Sequence, residues 1–164
     1  MKRSSAFKIV YSALFAALIF LGTQFIKVPL AAGYFNLGDT FVLLSGYFVG
    51  GVYGAMSSAV GSVLADILSG YIVYAPATLV IKASMSLIVF AFCRNNQKNR
   101  LRFIISSILA EMCMALGYLI FDSLLYGFSG AWASFPSNLL QGLIAIILGT
   151  VIVLSFKKEP ARKG

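Results

Sequence analysis

Asp39, Asp66 and Lys82 stand in a stretch, Asn36 to Lys82, whose other residues are apolar, aromatic or small. A charge at the centre of a bilayer costs about 2.5–3.5 kcal/mol. Three ionisable side chains in so apolar a stretch therefore need a purpose, by default a polar cavity or mutual pairing. Further along the chain, Glu111, Tyr118 and Asp122 share one helical face, and Asn138 and Gln141 share another. Carboxylates, one ammonium, amides and phenols make a hydrogen-bonding set suited to holding a small polar molecule. They do not make a nucleophilic or hydrolytic set.

Composition narrows the chemistry. The 164 residues contain no histidine. This removes His-based triads, the usual general base and the commonest metal ligand. The two cysteines, Cys93 and Cys113, have no metal-ligand spacing and read as buried free thiols. No cofactor and no metal is expected. A Ser–His intramembrane protease is excluded, and no paired-Asp protease motif is present, which leaves an intramembrane enzyme little support.

The elements that carry these residues are apolar. The chain is 60% hydrophobic and its mean hydropathy is +0.92, the range of an integral membrane protein. A span needs about 20 apolar residues, fewer when neighbours shelter it. The sequence predicts six helices in one all-α membrane domain covering 1–164. They are Ser5–Ile26, Leu37–Phe48, Val52–Leu68, Ala75–Cys93, Phe103–Tyr126 and Ser137–Phe156. Pro29, Gly33 and Asn36 mark the first connection, Gly50-Gly51 a tight turn, and Ser69-Gly70-Tyr71 the end of the third helix. Gly127–Ser134 reads as a Gly/Ser-rich loop leading to Pro136.

Charge sets the topology. Eleven of the thirteen basic residues fall in three segments: Lys2, Arg3 and Lys8; Arg94, Lys98, Arg100 and Arg102; and Lys157, Lys158, Arg162 and Lys163. Six spans place all three on one side, so both termini are expected on the cytoplasmic side. The net charge of +8 is thus explained without a nucleic-acid partner. No small-residue cleavage site follows the first apolar run, so that run reads as a retained span rather than a signal peptide.

Depth and facing then define a candidate site. Asp39 and Asp66 fall at outer helix ends, and Lys82 about 10 Å below the outer surface at 1.5 Å per residue. Two four-residue stripes follow from helical spacing: Gly54, Ser58, Ser62 and Asp66, and Tyr74, Thr78, Lys82 and Ser86. The polar residues collect in the outer half, which suggests a cup open to the outside. The expected substrate-binding set is Asn36, Asp39, Asp66, Tyr74, Thr78, Lys82, Glu111, Tyr118, Asp122, Trp132, Asn138 and Gln141. Lys82 also has a structural reading, as the partner of Asp66 or Glu111 in a pair that glues helices. Trp132, Tyr71, Tyr74 and Tyr34 form either an interfacial belt or a stacking lid over a flat heterocycle, with Trp132 the better lid candidate. Helix 1 carries Ala13-xxx-Ala17 with Ala16 adjacent, and small residues four apart let another helix approach closely.

The most specific pieces are Asn36-Leu37-Gly38-Asp39, Gly61-Ser62-xx-Ala65-Asp66-xx-Ser69-Gly70 and Tyr74-Ala75-Pro76-Ala77-Thr78. Through them, and through its length and six-helix layout, nearly the whole chain resembles the substrate-binding S component of energy-coupling-factor (ECF) vitamin transporters. The resemblance is to the branch associated with hydroxymethylpyrimidine or pyridoxine uptake, which is related to riboflavin S components. It implies a vitamin bound near the outer surface and an Ala13/Ala16/Ala17 face docked on a transmembrane coupling subunit. It also implies two cytosolic ATPases as partners and release by toppling in the membrane. The chain lacks the G-xxxx-GK[ST] phosphate loop, so ATP hydrolysis is expected of the partners. Other vitamins, including riboflavin and pantothenate, stay open, as does a proton-coupled carrier using Glu111 and Asp122.

Overall fold

α1 (Ser5–Gln24) runs uninterrupted through a sequence with no charge after Lys8 and no proline or glycine before Gly22. The computed structural model describes residues 5–30, 33–97 and 99–156. The basic residues at 2, 3, 98, 157, 158, 162 and 163, and the side chain of Tyr34, lie outside the described set.

The chain after α1 departs from the all-α expectation. Lys27–Leu30 (β1) and Gly33–Asn36 (β2) pair antiparallel, with Lys27 opposite Asn36 and Leu30 opposite Gly33. Val28, Tyr34 and Phe35 favour extended backbone, and Pro29 is tolerated because a two-stranded ribbon consists only of edges. The hairpin delivers the chain to α2 (Gly38–Phe48), which starts where the Asn36 side chain accepts the Gly38 N–H at 2.9 Å.

α2 is only eleven residues long, roughly 16 Å, or half of a bilayer core. It touches α1, α3 (Gly51–Leu68), α4 (Ala75–Cys93) and α5 (Arg100–Ser155). Most of its residues are buried, among them Val42, Leu43 and Leu44. Around it pack Ile19 of α1, Met85 and Val89 of α4, and Phe103 and Met114 of α5. Gly50 and Gly51, at φ 71° and 55°, reverse the chain between α2 and α3 in a conformation that side chains with a Cβ avoid. A 3-10 turn, Ile72–Tyr74, leads from α3 into α4.

α5 corrects the expectation of a loop over Gly127–Ser134. Only Gly127 leaves helical geometry, at φ 76° and ψ 166°. The helix resumes at once, so Pro136 lies inside its second arm rather than ahead of it. Asp122 bonds Ser134, Gly142 faces Glu111, and Gly149 faces Phe103. These contacts are nearly symmetric about Gly127, so the arms 100–126 and 128–155 fold back on each other antiparallel. Among the described residues, four segments are long and apolar enough to cross a membrane: Ser5–Gln24, Gly51–Leu68, Ile72–Cys93 and Arg100–Ser155.

Small residues set the helix spacing. A Cβ on Gly46 would lie 2.5 Å from the Ser86 carbonyl oxygen, and one on Gly61 2.5 Å from that of Ala16. Close backbone approach of this kind replaces the hydrophobic drive that lipid cannot supply. Ser45 on α2 reaches Ser58 on α3 at 2.7 Å and Ser86 on α4 at 3.2 Å, and so ties three helices at one point. Gly54 and Ser58 of one predicted polar stripe and Ser86 of the other are therefore used for packing. Gly46→Ala and Gly61→Ala should each lower the stability of the detergent-solubilised protein by about 1–3 kcal/mol. Val60→Ala on the outward face should change it by less than about 0.5 kcal/mol, measured by thermal unfolding.

Candidate functional site

All helices converge at one end on a cavity of about 290 Å³, just below the usual size of small-molecule sites. Asn36 enters it from the end of β2, Asp39 from the start of α2, Ser62 and Asp66 from the end of α3, and Thr78 and Lys82 from the first half of α4. Tyr118, Asp122 and Tyr126 come from the first arm of α5, and Ser134, Ser137, Asn138 and Gln141 from the second. Ten of the twelve predicted residues thus line one space.

A buried ion pair forms its floor. Lys82 donates to one oxygen of Asp39, and the two are 6% and 1% exposed. This is the only ion pair among the described residues. Neither Asp66 nor Glu111 is the partner, because the hairpin carries the start of α2 down into the bundle and buries Asp39 beside Lys82. Gln141 donates to the second Asp39 oxygen at 2.6 Å. The same amide's oxygen accepts from the Asn36 backbone and side chain at 3.1 and 3.0 Å. Asp39 also sits in the first turn of α2, where the helix dipole favours a negative charge. The Lys82 ammonium lies 5.4 Å from the centre of the Tyr118 ring, within cation–π range. The Tyr118 hydroxyl meets Thr78 at 2.9 Å.

The rim is held by a second network. Asp122 accepts from Tyr74 at 2.8 Å and from Ser134 at 2.6 Å, joining α4 to both arms of α5 just below Gly127. Tyr71, Tyr74 and Tyr118 follow one another at centroid distances of 6.2 and 6.4 Å and form an aromatic wall. Two polar atoms of the cavity residues are buried without a partner: Ser62 Oγ and Asp66 Oδ2. Satisfied groups shape the site, and these two remain available to a bound molecule.

Two predicted residues fall elsewhere. Trp132 is 47% exposed and does not line the cavity. It packs edge-on against Phe128 and Phe135 at 5.9 and 5.1 Å, on a helical arm where an open loop was expected. The aromatic residues that line the cavity are Tyr71, Tyr74, Tyr118 and Tyr126. Glu111 is buried outside the cavity wall against Gly142, and both its oxygens lack a hydrogen-bond partner. Ser62, Tyr126, Ser134, Ser137 and Thr23 line the cavity without having been placed in the expected set. Tyr126 is one turn beyond Asp122 on the same face. Ser134, Ser137, Asn138 and Gln141 follow i, i+3, i+4, i+7 spacing, which becomes a signal only once 128–155 is read as helix.

On α1, Ala13 and Ala17 face outward between exposed Val10, Leu14 and Leu21. Ala16 does not belong to that outward face: it is half-buried, with its carbonyl against Gly61 of α3.

The floor predicts a distinctive mutational pattern. Lys82→Met leaves a buried carboxylate unpaired and should cost about 3–5 kcal/mol of stability. The double variant Asp39→Asn/Lys82→Met removes both charges and should recover most of that loss, measured by thermal unfolding in detergent.

Comparison with known proteins gives this geometry a family. Residues 3–158 match the family described as ECF-type riboflavin transporter, S component. A protein of Pyrococcus woesei, described as an uncharacterized protein in a gap 3′ region, is 35% identical over 139 residues, covering 84% of this chain and 93% of its own. A solved structure described as the S component of a bacterial ECF transporter superposes with a TM-score of 0.76 at 22% identity, covering 93% of this chain and 96% of that one. The structural likeness is one of fold. The sequence match, which takes in every residue of the cavity, makes this chain a member of the ECF-type riboflavin transporter S component family.

Proposed function

We propose that this chain captures a small B-vitamin or vitamin precursor from outside the cell and delivers it inward as part of an ECF importer. The cavity carries this reading. It is closed on one side by a buried ion pair, walled by tyrosines, and offers the Ser62 hydroxyl and one Asp66 oxygen as unpartnered hydrogen-bonding atoms. Such a site holds a flat ring bearing hydroxyl or amine groups. Hydroxymethylpyrimidine or pyridoxine is the favoured substrate, because a wall of tyrosines with a few hydroxyl and carboxylate groups suits a single substituted ring. Riboflavin is the second reading, supported by the description of the matching family.

In this proposal the chain crosses the membrane six times, the two arms of α5 counting as separate passes, with both termini in the cytoplasm. The outward Ala13/Ala17 face of α1 docks on the transmembrane coupling subunit, and two cytosolic ATPases supply the energy.

Calorimetric titration of the purified chain without ATP should show tight binding of one of hydroxymethylpyrimidine, pyridoxine and riboflavin. Absence of heat with all three, and with thiamine and pantothenate, would sink the reading. Asp66→Asn should weaken the ligand that binds by about tenfold or more, the value of a hydrogen bond to a charged group, at unchanged thermal stability. Ala13→Trp and Ala17→Trp should keep ligand binding and lose uptake in cells carrying the complete importer. Loss of binding in both would place this face in the bundle core instead.

A further inference from the structure

At the end of the bundle opposite the cavity, a shallow crevice runs between the end of α4 and the start of α5. Ala91 and Phe92 form one wall, and Arg102 and Ile105 the other. The walls are exposed and apolar, with Phe92 at 41% and Ile105 at 42%. Arg102 spans the mouth, and its guanidinium is within 3.4 Å of the Phe92 carbonyl oxygen. Arg94, just past the end of α4, and Arg100, the first residue of α5, are exposed at the same end of the bundle.

The connection between α4 and α5, which carries Arg94, is tied to α2. The Tyr47 hydroxyl of α2 donates to the Gln97 carbonyl at 2.6 Å, and the Gln97 amide donates back to the Tyr47 carbonyl at 3.1 Å. Asn99 caps α5 through the Leu101 N–H at 3.1 Å. Among the described residues no acidic side chain pairs with these arginines. Asp39, Asp66 and Asp122 line the distant cavity and Glu111 is buried. One guanidinium at the mouth of an apolar crevice, with two more arginines at the same end of the bundle, matches an amphiphile with a negative head and a hydrocarbon tail. Arginine binds phosphate in a bidentate fork, and basic pockets between membrane helices bind anionic lipid headgroups.

We propose that this crevice is a binding site for an anionic phospholipid, its phosphate on Arg102 with Arg94 and Arg100 adding charge, and one acyl chain lying between Phe92 and Ile105. This goes beyond vitamin binding and does not depend on which vitamin the cavity holds.

The test is native mass spectrometry of the chain released from vesicles of equal phosphatidylglycerol and phosphatidylcholine. The wild type should retain phosphatidylglycerol in preference. Arg102→Gln, an exposed position, should lower that retention about fivefold, the effect of one basic side chain at a charged surface. Ile105→Trp keeps the charge, fills the crevice, and should lower retention as well. Equal retention of the two lipids by the wild type, or undiminished phosphatidylglycerol on Arg102→Gln, would overturn the proposal. So would loss on Arg102→Gln with full retention on Ile105→Trp, since the head would then bind without the crevice.

Discussion

The structure depends on burying the start of α2. A carboxylate taken from water into the middle of a membrane bundle needs a countercharge and full hydrogen bonding to be tolerable. Asp39 receives both, from Lys82 on one oxygen and Gln141 on the other. Those two partners lie on α4 and on the second arm of α5, so satisfying one carboxylate fixes three elements. Asn36 extends the constraint, because it binds Gln141 while capping the helix that holds Asp39. The cavity is what remains above this floor. Its shape follows from the need to keep one charge content.

The rest of the polar inventory divides by height. Near the floor, Lys82, Tyr118 and Thr78 form a continuous chain of contacts. At the rim, Asp122 gathers Tyr74 and Ser134 and pins the turn at Gly127. Deeper in the bundle, Ser45, Ser58 and Ser86 join α2, α3 and α4 where their backbones run closest. The same residue type thus has two uses along one helix face: Ser58 locks helices, and Ser62, one turn away, faces the cavity with its hydroxyl unpartnered.

Much of this was legible in the sequence. α4 begins and ends where its proline and the basic loop place it, and α3 differs from expectation by one residue. The Tyr74, Thr78 and Lys82 stripe lines the cavity because a 3.6-residue period fixes facing whatever the tertiary contacts. The errors have physical causes. Gly127–Ser134 has loop composition, yet one glycine at positive φ suffices to reverse the chain, so the remainder stays helical and carries Trp132 away from the site. The Lys27–Asn36 hairpin was missed because two four-residue strands give too short an alternation to read. That omission hid the partner of Lys82, since the depth of Asp39 depends on how the hairpin returns the chain. Glu111 shares a face with Tyr118 and Asp122, but Gly142 lets the second arm close over it.

The glycine contacts have a mechanical consequence. Gly46, Gly54 and Gly61 each place one helix directly on another's main chain. Contacts of this sort have no compressible layer of long side chains between them, so neighbouring helices mesh like gear teeth instead of sliding on a cushion. α2 engages α4 and α3 in this way, and α3 engages α1. Turning any one of these helices drives a backbone carbonyl into its neighbour. A displacement imposed on the outer face of α1 therefore meets an unbroken series of main-chain contacts that runs through α3 and α2 to α4.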